Sequence, residues 1–125
     1  MEIRHLKDIT KDIRAELKTR FPECKFSVRV NRGIAIAVSL MTAPVTPFAS
    51  LVTVNGYEHD GEYAQLNHYH IRQDAYKENW ISNGYYLTED TVKMLNEVIE
   101  ISGSHGYVRF FHLEIGQWDK PFAIK

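Results

Sequence analysis

Leu6, Ile9, Ile13, Leu17 and Phe21 recur at steps of three and four, the spacing of one helical face, and Pro22 stops the pattern. A helix is expected over about residues 3–20. Lys25-Phe-Ser-Val-Arg-Val-Asn31 then alternates, as a strand does, with Phe26, Val28 and Val30 inward. Asn31-Arg32-Gly33 supplies a turn, and Gly33-Ile-Ala-Ile-Ala-Val-Ser-Leu40 is the return strand of a hairpin. Ala35 and Ala37 are small enough for the helix to lie close over their face. Thr42-Ala-Pro-Val-Thr-Pro47 reads as a loop, because two prolines in four residues interrupt a ladder.

Further along, Ser50–Val54 is a short strand ending at the turn Asn55-Gly56, and Tyr57–Glu62 is a loop leading into a strand over Tyr63–Ile71. Residues 72–87 are irregular, with a short helix near Asp74–Trp80. Thr88 caps a second helix, Glu89 and Asp90 complement its positive end, Val92, Leu95, Val98 and Ile99 face inward, and Gly103 ends it. A last strand, Tyr107–Ile115, puts Tyr107, Arg109, Phe111, Leu113 and Ile115 on one face. The order α-β-β-(β)-β-α-β describes an α+β chain of one domain over residues 1–125, with two main helices packed on one face of an antiparallel sheet.

Composition narrows the setting. No apolar run approaches the ~20 residues that cross a bilayer, so no membrane partner is expected. The polar amino terminus carries no signal-peptide core, and the lone Cys24 excludes an internal disulfide or a multi-cysteine zinc site. A cytoplasmic protein of a bacterial host cell is the expectation, with no cofactor. The net charge of −1 is unevenly placed: residues 1–32 hold nine Lys/Arg against five acids, and residues 33–125 hold six against eleven. Lys7, Lys11, Arg14 and Lys18 share a ridge of the first helix, with Asp8 and Asp12 interleaved and Glu16 placed to pair with Arg20 one turn on.

The candidate chemistry centres on Tyr63-Ala-Gln-Leu-Asn-His-Tyr-His-Ile71. One face of that strand carries Tyr63, Gln65, Asn67, Tyr69 and Ile71, and the other carries Ala64, Leu66, His68 and His70. Amides, phenols and imidazoles bind polar partners well and fill a core poorly. His68 and His70 lie about 7 Å apart along the strand, and His59 with Asp60 completes a drawable metal site; two solvated histidines are the plainer account. Cys24 as a nucleophile would need a nearby histidine base. Glu58, Asp60 and Glu62 repel one another and suit solvent better than acid–base work. Tyr57, Tyr63, Tyr69, Tyr85, Tyr86, Phe110 and Trp118 could stack bases, but the chain beyond residue 32 is acidic and the pI near 6.6 is low for a nucleic-acid binder. Aromatics with few lysines suit a protein interface, or else pack inside.

Two segments together carry a resemblance. Phe21-Pro-Glu-Cys-Lys-Phe-Ser-Val-Arg29 follows the charged first helix, and Ile115-Gly-Gln-Trp-Asp-Lys-Pro-Phe122 closes the aromatic strand, with Gln65-Leu-Asn67 and Tyr69 between. The set resembles the large polyvalent-protein-associated domain, group 29, whose helix runs into F-P-x-x-K-F-S-V. Many of its members carry a Trp and an Asp-Gly-Pro turn after the second strand, where this chain has Ser39-Leu-Met-Thr-Ala-Pro44. The resemblance implies a phage or conjugative-element module, a role in countering host defence, and no established catalysis. The expectation is a non-enzymatic module that binds a host macromolecule, a protein first, through Gln65, Asn67, His68, Tyr69, His70 and Trp118. The alternatives are nucleic-acid binding through Lys7, Lys11, Arg14 and Lys18 with the sheet aromatics, and a metal-dependent enzyme built on His68 and His70. Sequence leaves the oligomeric state open, and Trp118–Ile124 is apolar enough for a core plug or a dimer contact.

Overall fold

The first helix, α1, runs Leu6–Arg20 and buries Ile9, Ile13 and Leu17, the stripe that the spacing marks. These and the following positions come from a computed structural model that describes residues 5–47, 53–54, 57–58, 64–66, 87–106 and 110–124. The helix begins later than the periodicity suggests, because His5 is extended (φ −66, ψ 138) and serves as its N-cap. At the other end the Phe21 N–H still reaches the Leu17 carbonyl at 2.8 Å. Phe21 itself leaves helical geometry ahead of Pro22, as a residue before proline must.

Strand β1 (Lys25–Asn31) pairs antiparallel with β2 (Ala35–Ala43). The connection bends through Arg32 and Gly33, both at left-handed φ (54 and 73), and the Ile34 N–H bonds the Asn31 carbonyl at 3.3 Å. Two positive φ values in succession match the strand twist of a hairpin, which explains a glycine here. Gly33 therefore belongs to the turn and not to β2. Strand β2 also continues through Thr42 and Ala43, residues expected in the loop, because Lys25 pairs with Thr42 and β7 (Ala123–Ile124) pairs with both before Pro44 intervenes.

Strands β3 (Thr53–Val54) and β4 (Tyr57–Glu58) form a separate antiparallel pair, Thr53 opposite Glu58 and Val54 opposite Tyr57. Tyr57 and Glu58 are thus strand, not loop: two strands separated by Asn-Gly is a hairpin signal, and the second arm lies within a charged segment. Of the long strand expected over Tyr63–Ile71, β5 covers Ala64–Leu66, and the rest lies outside the described residues, as does the expected helix near Asp74–Trp80.

Helix α2 runs Glu89–Ser104, with the Thr88 side chain accepting from the Thr91 N–H at 3.2 Å. It passes Gly103, which was expected to end it. Gly103 faces open space, and the side chains of Ser102 and Ser104 bond the carbonyls of Val98 and Ile101, both at 2.8 Å, carrying the last turn to the His105 cap. Glu16 does not pair with Arg20. It meets the His105 ring at 2.6 Å, and Arg20 meets Glu97 at 3.7 Å, so both contacts tie α1 to α2 and its cap.

Strand β6 (Phe110–Ile115) runs parallel to β2 and antiparallel to β5, giving the order β1-β2-β6-β5 with β7 beside the end of β2. The class is α+β with both helices on one face, as expected, but the sheet is mixed and not antiparallel throughout. Alternation fixes which residues share a face, not the direction of a strand that returns after a long connection. The register places Val28, Ile36, Val38, Leu40, Leu113, Ile115 and Leu66 on one face, where they join Ile9, Ile13, Leu17, Val92, Leu95 and Val98 in a single core cluster. Full burial of such a side chain is worth about 1.5–3 kcal/mol. Ala35 and Ala37 alternate with Ile36 and Val38, so they face away from α1: the helix lies on the opposite side from the one their size suggested.

Candidate functional site

What crosses the small residues of β2 is an arginine. Arg29 stands beside Ala37 in the ladder, and its guanidinium bonds the Ser39 hydroxyl at 3.2 Å and the Glu114 carboxylate at 3.1 Å, spanning β2 from β1 to β6. A larger side chain at position 37 or 39 would stand in that path. Glu114 is only 7% exposed and Arg29 is partly open to solvent, so the pair is a charge-assisted contact at the floor of the open sheet face. Phe110, His112 and Glu114 share one side of β6, and Gln65 opposite Glu114 extends that side onto β5.

The second component is the turn after β6. Gly116, at φ 74, bends the chain while its N–H bonds the Leu40 carbonyl at 2.8 Å. Gln117 and Lys120 then bond each other's backbone twice (2.8 and 3.1 Å), which leaves Trp118 and Asp119 at the tip of a tight turn. The turn is fastened on both sides, by Gln117 donating to the Ser27 hydroxyl at 3.1 Å and by the buried Phe122. Trp118 is 88% exposed, an indole held out to solvent by a fixed backbone. In the segment Trp118–Ile124 the core plug is thus Phe122, while Trp118 and Ile124 face outward.

Arg29, Gln65, His112, Glu114, Gln117 and Trp118 together line an open concavity of about 430 Å³. It holds donors, acceptors, one ion pair and one aromatic plate, a set suited to recognition of a polar surface. Of the residues expected to bind, Gln65 and Trp118 are brought together here. Asn67, His68, Tyr69 and His70 lie outside the described residues, as do His59, Asp60 and Glu62. Arg29, Ser39, Glu114 and Gln117 were missed; the available signal was Glu114 inside Phe-Phe-His-Leu-Glu-Ile and Ser39 inside an apolar run.

On α1, Lys7, Lys11 and Lys18 are exposed, whereas Arg14 donates to the Val28 carbonyl at 2.6 Å and so does not stand in a free row with them. The Cys24 thiol packs at the seam of helix and sheet, 3.9 Å from the Met94 sulfur. Among the described residues, no group of three or more His, Cys, Asp or Glu is arranged to hold a metal ion, and no helix is long and apolar enough to cross a membrane.

Neither a curated protein nor a solved structure matches the chain. One family model does, that of large polyvalent protein associated domain 29, over residues 4–110. The match takes in α1, the β1–β2 hairpin and α2, and with them Arg29 and Gln65; Glu114, Gln117 and Trp118 lie beyond its end. With most of its length matched, the chain belongs to the large polyvalent protein associated domain 29 family and is a polyvalent-protein module of the kind associated with phages and mobile elements.

Proposed function

We propose that this module is a non-catalytic binding domain that engages a protein of the host cell through the open sheet face, in the service of countering a host defence. The observation that supports this is Trp118, 88% exposed on a turn fixed at both ends, beside the concavity floored by Arg29 and Glu114. A Trp on a fixed backbone has only two side-chain torsions to lose when it docks, and Trp and Arg are the residue types that dominate interface energetics. Asp119 beside Trp118 and Glu114 on the floor put carboxylates at this face next to Arg29, so the partner surface it suits is polar and of mixed charge.

The test is affinity capture from bacterial lysate with and without nuclease, comparing the natural chain with Trp118→Ala and Lys11→Ala. The expected result is a host protein retained after nuclease, lost with Trp118→Ala and kept with Lys11→Ala. Capture that vanishes on nuclease treatment would replace this reading with nucleic-acid binding through α1. Capture indifferent to Trp118→Ala would remove the open face from the interaction.

A further inference from the structure

At the end of the sheet away from the Arg32–Gly33 turn, a second concavity of about 380 Å³ opens between α1, the start of β1, the end of β2 and the segment leading to β7. Three cations line it: Arg14 from α1, Lys25 at the first position of β1, and Lys120 closing the turn that carries Trp118. Among the described residues no carboxylate lines it. The carboxylate contacts among those residues (Arg20 with Glu97, Arg29 with Glu114, the His105 ring with Glu16) leave all three cations out. In a chain of net charge −1, three cations around one hollow with no carboxylate beside them among the described residues are a local excess.

The arrangement is also partly fixed in advance. Arg14 anchors one guanidinium nitrogen on the Val28 carbonyl at 2.6 Å, which holds the group at the rim and leaves further N–H donors for a ligand. The hydroxyl residues Ser27 and Thr42 stand among the cations, and the remaining wall is apolar, with Phe26, Met41 and Pro121. A planar guanidinium, two ammonium groups and hydroxyls match the charge and acceptor count of a phosphate dianion. The size lies near the lower end of small-molecule sites, about 300–1,000 Å³, which suits a compact ligand better than a polymer track. The geometry points to a binding site for the phosphate group of a small organic molecule, held by Arg14, Lys25 and Lys120.

This site is separate from the open face; Gln117 borders both hollows, and the variants that test the phosphate site leave it untouched. The experiment is calorimetric titration of the full chain with inorganic phosphate, with adenosine diphosphate and with a short single-stranded oligonucleotide. Lys25→Gln and Lys120→Gln are compared with Lys11→Gln, a lysine of α1 that does not line the hollow. All three side chains are exposed, so the variants are expected to melt as the parent does. Saturable binding of phosphate or the diphosphate, weakened about tenfold by each site variant and unchanged by Lys11→Gln, supports the site. Absence of saturable binding of both probes overturns it, as does equal weakening by Lys11→Gln. Binding of the oligonucleotide alone overturns the assignment to a small ligand.

Discussion

The two faces of one sheet behave as different materials. On the helix side, Val28, Ile36, Val38, Leu40, Leu113 and Ile115 are buried with α1 and α2 in one hydrophobic cluster. On the other side, the interleaved positions supply buried Ala35, Ala37, Ser39 and Glu114 with half-buried Arg29 and His112, a polar layer in which the arginine meets the carboxylate, the one buried among the described residues. The same seven or nine residues of strand therefore supply an apolar layer on one side and a polar one on the other, the side proposed above for recognition. Alternation makes this possible: a substitution at one position is felt on one face only.

That contrast can be broken by stability measurements. Leu95→Ala or Ile36→Ala, on the covered side, is expected to cost about 2–5 kcal/mol in urea unfolding. A loss below about 1 kcal/mol would mean that the covered face is not the cohesive one. Arg29→Ala strips the partner from a buried carboxylate and is expected to cost about 1–3 kcal/mol, less than a fully buried pair because the arginine reaches solvent. A double-mutant cycle with Glu114→Ala sharpens this: strong coupling assigns the cost to the pair, and simple additivity assigns it to packing. Thr88→Ala removes the cap of α2, the helix that roofs the covered face, for about 1 kcal/mol, read as a lowered unfolding midpoint with unchanged slope. Trp118→Ala is the smallest in stability, within about 0.5 kcal/mol, yet it is expected to abolish capture of the partner. A Tm drop of several degrees in that variant would show Trp118 to be structural.

What was legible in the sequence was what depends on near neighbours. The stripe Ile9, Ile13, Leu17, the alternation of β1, the turn at Arg32–Gly33 and the Thr88 cap are each written within a few residues, and each is found. Ends were less legible, because they depend on partners: β2 runs on to Ala43 because Lys25 of β1 pairs with Thr42 and β7 pairs with both Thr42 and Ala43, and α2 passes Gly103 to end at the His105 cap. For the candidate site, the polar character of Gln65 and the prominence of Trp118 were visible. The ion pair was not, since nothing near Arg29 indicates that its partner is Glu114 or that Ala37 is small to let it pass. The parallel pairing of β2 with β6 was likewise invisible, because a strand carries no mark of its direction.

Arg29 and Glu114 are 85 residues apart along the chain. The β1–β2 hairpin closes over a tight turn, whereas the β2–β6 ladder joins Ala35 to Phe110 across most of the sequence. Long-range and parallel pairings carry the larger closure entropy and form slowly. Pulsed hydrogen exchange during refolding is accordingly expected to protect the amides of β1 and β2 before those of β6. A nascent or truncated chain ending before Phe110 still holds the segments of α1 and the hairpin, but no Arg29–Glu114 pair. The charged floor of the open face is therefore a certificate of completed folding, and whatever docks there meets only finished molecules.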